Sequence, residues 1–156
     1  MRSVLPNFGA VSGSEAIFLY YIRTAKKFIH IIHGGISLGL LNYLKKIRDD
    51  YVINQVKNII LPAFQPSPTV REGVKFTGRV QKVGFRLEIY ELAKRLELSG
   101  WVQNTKDRNV EAELQGEQEK IEFLINYMRS LKRASVREVV KNQQPVREEA
   151  GFVIRG

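Results

Sequence analysis

Apolar and polar residues alternate with two different periods after residue 72. From Val74 to Val80 every second residue is apolar or small, which predicts a half-buried strand. From Phe85 onward apolar residues recur at spacings of three and four, which predicts a helix over Arg86–Leu98. The same two periods then repeat, and they predict strands Gly100–Thr105 and Val110–Gln115, a helix Gln118–Leu131, a strand Ser135–Lys141 and a last short strand Gly151–Arg155.

The order of these elements predicts the fold of the second half. Strand, helix, strand, strand, helix, strand is the βαββαβ order, in which two helices pack on one face of an antiparallel sheet. We therefore expect an α+β fold, a ferredoxin-like βαββαβ sandwich, over residues 72–156. An N-terminal helical segment would precede it.

The first half has a helical pattern and ends in prolines. Ser12 and Glu15 have the spacing of a capping box, which predicts the start of a first helix. A second helix is predicted over Ile36–Ile60 from its apolar stripes. Three prolines lie between Leu61 and Thr69, where they prevent a helix from continuing. The expected division is a helical hairpin at 1–60, a Pro-rich linker at 61–71 and the βαββαβ domain at 72–156.

The apolar stripes of the two N-terminal helices need a partner. That partner would be the domain beside them or a second copy of the chain, so a homodimer through these helices is one expectation. The 17 residues from Phe28 to Leu44 carry no Lys, Arg, Asp or Glu, but the run is shorter than a typical span and contains polar residues, so we expect a soluble hairpin. His30 and His33 have no nameable further ligands, and we expect no metal site.

The absence of cysteine limits the kinds of catalysis and cross-linking that the chain can use. The 156 residues include no cysteine, which excludes disulfides and thiolate catalysis and is typical of a cytoplasmic protein. The N-terminus lacks the pattern of a signal peptide.

Of the net charge of +9, most belongs to residues 1–71, with nine Lys and Arg against three Asp and Glu. Such a basic segment could attract nucleic acid or an anionic membrane, but a solubilising surface explains it as well, and we expect neither contact.

The crossover from the first strand to the first helix is the strongest candidate for a site. Arg86 falls at or next to the first helical position, where a cation lies against the positive end of the helix dipole. The unpartnered N–H groups of Gln81, Lys82, Val83, Gly84 and Phe85 could converge on an anion there. A bound phosphate would reverse the local field and accept a two-pronged hydrogen bond from the arginine. A surface arginine that happens to follow a turn is the alternative.

A second candidate is Asn104, at the end of the strand Gly100–Thr105. Its amide can donate and accept a hydrogen bond, so it could hold a water molecule without charge. An asparagine favoured by the following turn for its own backbone bonding is the alternative interpretation.

Several segments together are more specific than either candidate. In order and spacing they resemble the acylphosphatase family over nearly all of residues 72–156, and they read GRVQKVGFR (Gly78–Arg86), A-x-x-L-x-L (Ala93–Leu98), GWVQN (Gly100–Asn104), VEAELQG (Val110–Gly116), IEFL (Ile121–Leu124) and ASVREV (Ala134–Val139). The resemblance does not extend to residues 1–71. It implies hydrolysis of acyl phosphates to carboxylate and inorganic phosphate, with no metal or organic cofactor.

The resemblance also implies roles for single residues. Arg86 would bind the substrate phosphate together with the amides of the loop, and Asn104 would orient the attacking water. Inorganic phosphate or sulfate could occupy the same site. The chain departs from the family pattern at Lys82 and Arg108, where glycine is usual, and at Leu131–Arg133, which replaces a Gly/Pro-containing link. Lys82 would add positive potential beside the phosphate.

Other functions remain as alternatives. An RNA-binding sheet would need aromatic residues on its central strands, and VEAELQG has none. A domain of a larger carbamoyl-phosphate-using maturation system would normally accompany zinc-finger and transferase regions, which the sequence lacks. The main alternative is a non-catalytic anion- or partner-binding module, in which the basic N-terminal half mediates self-association or contact with nucleic acid or membrane.

Overall fold

The computed structural model describes residues 38–156. The predicted βαββαβ order is confirmed there, with one more helix before it. The largest difference from a predicted bound is at the start of the first strand, which begins at Thr69 rather than Val74. Its added residues are paired, Thr69 and Val70 with one neighbouring strand and residues 71–73 with both. The elements are α1 (Leu38–Lys57), β1 (Thr69–Arg79), α2 (Phe85–Arg95), β2 (Ser99–Asn104), β3 (Val110–Glu117), α3 (Gln118–Ser130), β4 (Ser135–Gln144) and β5 (Phe152–Arg155).

The sheet has five strands in the order β4-β1-β3-β2-β5. The first four are antiparallel to their neighbours, as predicted. The last strand, whose place in the sheet the sequence left open, departs from this pattern, since β5 pairs parallel to β2 with Gly100 opposite Phe152 and Gln103 opposite Arg155. The physical reason is the path of the chain, which leaves β4 at one edge of the sheet and returns at the opposite edge.

The segment that makes this return, residues 145–151, is tied to the sheet by a buried arginine. Arg71 of β1 is 1% exposed, and its Nη1 donates to Glu149 Oε2 at 2.5 Å while its Nε donates to Glu113 at 3.0 Å. Burial alone would raise the pKa of Glu113, but the hydrogen bond and charge of Arg71 leave that pKa lowered. This ion pair holds the return segment against the sheet and so places β5 beside β2.

The helices α2 and α3 lie on one face of the sheet, as predicted, and bury the core between them. The strands contribute alternate residues such as Phe76 and Leu114, both fully buried, because successive side chains of a strand point to opposite faces. Phe85 at the start of α2 meets Phe76 edge to face, with ring centroids 5.2 Å apart. This contact fixes the first residue of α2 on the sheet, directly after the loop that carries the candidate site.

Part of the first half packs with the sheet. The compact unit that contains the sheet spans Asp49–Gly156, and Val56 of α1 belongs to its core. The Pro-rich stretch lies along α3: the rings of Phe64 and Phe123 are 5.5 Å apart, and Gln118 N–H donates to the Pro68 carbonyl at 3.0 Å. The functional division at 1–60, 61–71 and 72–156 stays a prediction.

Other predictions for the first half fall mostly on residues outside the described range. These are the helix that begins at Ser12, the two histidines His30 and His33, and most of the uncharged run from Phe28 to Leu44. The second predicted helix is present as α1, shorter at both ends than Ile36–Ile60. Among residues 38–156, no helix is long and apolar enough to cross a membrane, and no acidic or histidine cluster of a kind that could hold a metal occurs.

Candidate active site

The loop between β1 and α2 consists of residues 80–84 and turns sharply at two points. Lys82 has φ 64° and Gly84 has φ 81°, both in the left-handed region. A bulge at Thr77/Gly78 bends β1 just before the loop, as bulges commonly do beside functional sites. Gly78 is required there, since a Cβ would lie 2.1 Å from the Ser135 carbonyl oxygen. Lys82, which stands where the family usually has glycine, therefore has a backbone conformation that favours glycine.

The start of α2 exposes main-chain N–H groups. Gly84 is the N-cap residue, and it has no side chain that could cap this end of the helix. Within residues 38–156, no main-chain carbonyl accepts a hydrogen bond from the amides of Val83, Gly84, Phe85 or Arg86. The first N–H groups of a helix have no partners inside it and favour an anion. The loop and the first turn of α2 therefore present a group of free donors at one place.

Gln81 joins this loop to the turn that follows β2. Its Nε2 donates to the Thr105 carbonyl at 2.9 Å and to the Asn109 carbonyl at 2.8 Å. The same turn is closed by the hydrogen bond from Thr105 N–H to the Asn109 carbonyl, at 3.0 Å. The side chain of Gln81 thus holds the loop of residues 80–84 beside the end of β2, a role that was not predicted. The main-chain N–H of Gln81 stays a predicted phosphate ligand.

Arg86 lies in the first turn of α2 and extends to the end of β5. Its Nη1 donates to the main-chain oxygens of Gly156 at 2.9 Å and Arg155 at 3.3 Å. The side chain is half-buried, and within residues 38–156 its other guanidinium donors have no acceptor, so they can bind a ligand. The main chain at the end of β5 therefore orients the guanidinium. This contact was not predicted, because the parallel pairing of β5 with β2 has no local signal in the sequence.

Asn104 is the last residue of β2 and is exposed. In the parallel register Gln103 stands opposite Arg155, so the next position, Asn104, lies at the level of Gly156. Neighbouring strands are about 4.8 Å apart, and Arg86 binds the main-chain oxygens of both Arg155 and Gly156. The structure accordingly brings the arginine, the asparagine and the loop to one edge of the sheet.

Two buried residues behind the loop were not predicted as part of the site. Arg133 Nε donates to the Val83 carbonyl at 3.1 Å, and the carboxylate of Glu88 forms an ion pair with the same guanidinium. The sequence could have indicated a role for Glu88, because it lies on the apolar face of α2 between Phe85 and Ile89, where a charge needs a partner. Nothing in the sequence indicated that Arg133 is that partner.

Comparison with known proteins gives one consistent result. The acylphosphatase family model matches residues 73–154. The chain is 44% identical over 79 residues to the acylphosphatase of Pseudomonas aeruginosa, which covers 50% of this chain and 87% of that protein. It is 46% identical over 56 residues to the acylphosphatase of Picrophilus torridus, which covers 36% of this chain and 69% of that protein.

The fold agrees with this result. The structure of an acylphosphatase from Coxiella burnetii superposes with a TM-score of 0.53 at 30% identity and covers 56% of this chain and 93% of that one. The region matched by the family model contains most of the sheet, α2, α3 and the loop with its free amides. The chain belongs to the acylphosphatase family.

Proposed function

We propose that the chain hydrolyses acyl phosphates at the N-terminus of α2, where Arg86 and the loop amides bind the phosphate group and Asn104 orients the attacking water. Family membership defines the reaction class, a hydrolase that acts on carboxyl–phosphate mixed anhydrides. The observation that carries the placement is the meeting of three features at one sheet edge: an uncapped helix N-terminus, the guanidinium of Arg86 and Asn104 at the end of β2.

The phosphate end of the substrate matches the donors that this edge offers. The phosphoryl oxygens would accept hydrogen bonds from the amides between Gln81 and Arg86 and from the guanidinium fork of Arg86. Lys82 is exposed and adds positive potential at the entrance. In the transition state the charge on these oxygens is redistributed, and donors already in position stabilise it without rearrangement.

Water attack on phosphorus must come from the side opposite the leaving carboxylate. Asn104 would hold a water molecule with its carboxamide, which can accept from and donate to it, and so convert a random encounter into an oriented one. The new P–O bond forms as the bond between phosphorus and the acyl oxygen breaks. The carboxylate leaves with the bonding electron pair and needs no proton, and a phosphate oxygen takes the proton of the water.

Benzoyl phosphate tests the reaction directly. The folded chain should release benzoate and inorganic phosphate faster than the uncatalysed rate, equally with and without EDTA, and added inorganic phosphate should inhibit competitively. A folded chain that gives only the uncatalysed rate would contradict the proposal and favour the non-catalytic binding module. No observation on residues 38–156 favours that module, or a contact with nucleic acid or membrane.

Occupancy by inorganic phosphate or sulfate and a homodimer through the N-terminal helices belong to the same proposal. Phosphate binding is supported by the free amides, and titration calorimetry would measure it.

Self-association is supported by apolar side chains of α1 that stay exposed, such as Leu38 at 73% and Tyr43 at 61%. Sedimentation velocity of the full chain over a hundredfold range of concentration should show a dimer. A monomer at every concentration would reject the proposed homodimer.

Replacing Lys82 by glycine should separate backbone strain from electrostatics. A non-glycine residue in the left-handed region costs about 1–2 kcal/mol, while glycine costs about 0.5–1 kcal/mol in chain entropy. Lys82→Gly should therefore raise the free energy of unfolding by up to about 1.5 kcal/mol. We also expect phosphate affinity to fall a few-fold, because a cation beside the anion is lost. Chemical denaturation and phosphate titration measure the two effects.

Glu97→Gly is the matched control for Lys82→Gly. Glu97 also has a left-handed backbone, with φ 59°, but it follows the opposite end of α2 and its side chain is 85% exposed. Its replacement should stabilise the fold similarly and leave phosphate affinity unchanged. If Lys82→Gly likewise stabilises without weakening phosphate binding, Lys82 has no electrostatic role.

A further inference from the structure

A buried ion pair lies directly behind the phosphate loop. Glu88, in the first turn of α2, has an exposed fraction of 0%, and Arg133, between α3 and β4, has one of 7%. The guanidinium of Arg133 faces Glu88 Oε2, and the Tyr127 hydroxyl donates to Glu88 Oε1 at 3.1 Å. Charges are rarely buried without such partners. The mechanism proposed above uses none of these three side chains.

Arg133 connects this pair to the loop. Its Nε donates to the Val83 carbonyl at 3.1 Å. A peptide group is planar and trans, so the carbonyl of Val83 and the N–H of Gly84 point in opposite directions. A carbonyl held toward the buried guanidinium therefore turns the Gly84 N–H toward the open side of the loop. That is the side on which the amides of the loop and the first turn of α2 can converge on an anion.

The guanidinium is itself held from several sides. Glu88 fixes one nitrogen, Val83 accepts from another, and the ring of Tyr51 in α1 lies 5.9 Å from its central carbon. Arg95 of α2 holds the C-terminal end of α1, because its Nη1 donates to the carbonyl of Val56 and to that of Ile59, just after the helix, at 3.1 Å. Tyr51, which precedes the family-matched region, thus lies against Arg133.

We propose that Arg133 is a positioning residue for phosphate binding, which holds the Val83–Gly84 peptide in the orientation that the anion requires while Glu88 anchors the guanidinium. Arg133 stands in the segment Leu131–Arg133, which departs from the Gly/Pro-containing link of the family. The inference rests on the proposed function, because it assumes that the phosphate group binds at this loop.

Two variants that differ only at residue 133 test the inference. Glu88→Gln keeps a polar group beside the guanidinium and leaves the bond from Arg133 to Val83 in place. The double variant Glu88→Gln/Arg133→Met removes that bond without leaving an unpaired buried carboxylate. The dissociation constant of inorganic phosphate should rise about tenfold from the single to the double variant, the loss expected for one charged hydrogen bond. The single variant should stay within about threefold of the parent chain.

A spectroscopic measurement distinguishes positioning from a general loss of stability. In the parent chain and in Glu88→Gln, phosphate titration should move the Gly84 amide resonance downfield, as expected for a new hydrogen bond. In the double variant this shift should be largely lost even where the protein is fully folded. A folded double variant with the phosphate affinity and Gly84 shift of the single variant would overturn the inference.

A further variant covers the case in which the double variant does not fold. Arg133→Lys keeps a cation beside Glu88 but replaces a planar fork by a single nitrogen, so it should fold and bind phosphate several-fold more weakly. Parent-like binding by this variant would overturn the inference. The parent and Arg86→Ala test the proposed function separately: if the parent binds no phosphate, the placement of the site fails, whereas parent binding with no effect at residue 133 rejects the positioning role alone.

Discussion

Replacing Arg86 by alanine should lower kcat/KM for benzoyl phosphate by about three to five orders of magnitude, the range seen when an arginine that stabilises a transferring phosphoryl group is removed. Binding of inorganic phosphate should fall below detection in the same variant. The physical reason is that the guanidinium supplies both charge and a two-pronged donor at the uncapped start of α2. Steady-state kinetics and titration calorimetry measure the two losses.

Two further variants define what the arginine contributes. Arg86→Lys keeps the charge and loses the planar fork, so its activity should lie between the parent and Arg86→Ala. Lys57→Ala removes an exposed cation near the opposite end of α2, where Arg95 contacts the Lys57 carbonyl, and should leave both measurements unchanged. Retention of phosphate binding by Arg86→Ala would show that the anion site lies elsewhere.

Replacing Asn104 by alanine should lower kcat by about two to three orders of magnitude, the cost expected when a group that positions a reactant is lost. The dissociation constant of phosphate should change by less than about twofold, because the amides and Arg86 hold the anion. This separation of turnover from binding is the signature of a water-orienting role. A merely structural role would reduce both together or only the stability.

Gln103→Ala is the matched control for Asn104→Ala. Gln103 is the preceding residue of β2 and also carries an amide, but strand alternation directs it to the opposite face of the sheet. Its replacement should leave kcat unchanged. If Asn104→Ala retains the kcat of the parent, the water-positioning role is rejected, while phosphate binding by Arg86 would be unaffected by that result.

The fold was predictable because its signals are local. The alternation from Val74 to Val80 and the helical spacing after Phe85 lie within single elements, where burial of one face fixes the period of the apolar residues. The start of α2 was predictable for the same reason. Lys82 could also be suspected of a left-handed backbone from the resemblance alone, and its φ of 64° agrees.

The surroundings of the site were not predictable in the same way. The parallel pairing of β5 with β2 depends on the path of the return segment and on the ion pair of Arg71 with Glu149, which are 78 residues apart in sequence. The support of the loop by Arg133 involves a separation of 50 residues. Contacts at such separations depend on how packed elements meet and leave no period in the sequence.

The sequence by itself determined the βαββαβ order and the position of an arginine at the start of a helix, because both follow from local periodicity and from the chemistry of single residues. Its resemblance to a known family assigned the reaction. Only the tertiary structure decided that β5 brings its main chain to Arg86, that Gln81 ties the loop to the turn after β2 and that a buried Glu88–Arg133 pair supports the loop. Those arrangements arise where distant segments share one core, and there the geometry of packing selects the partners.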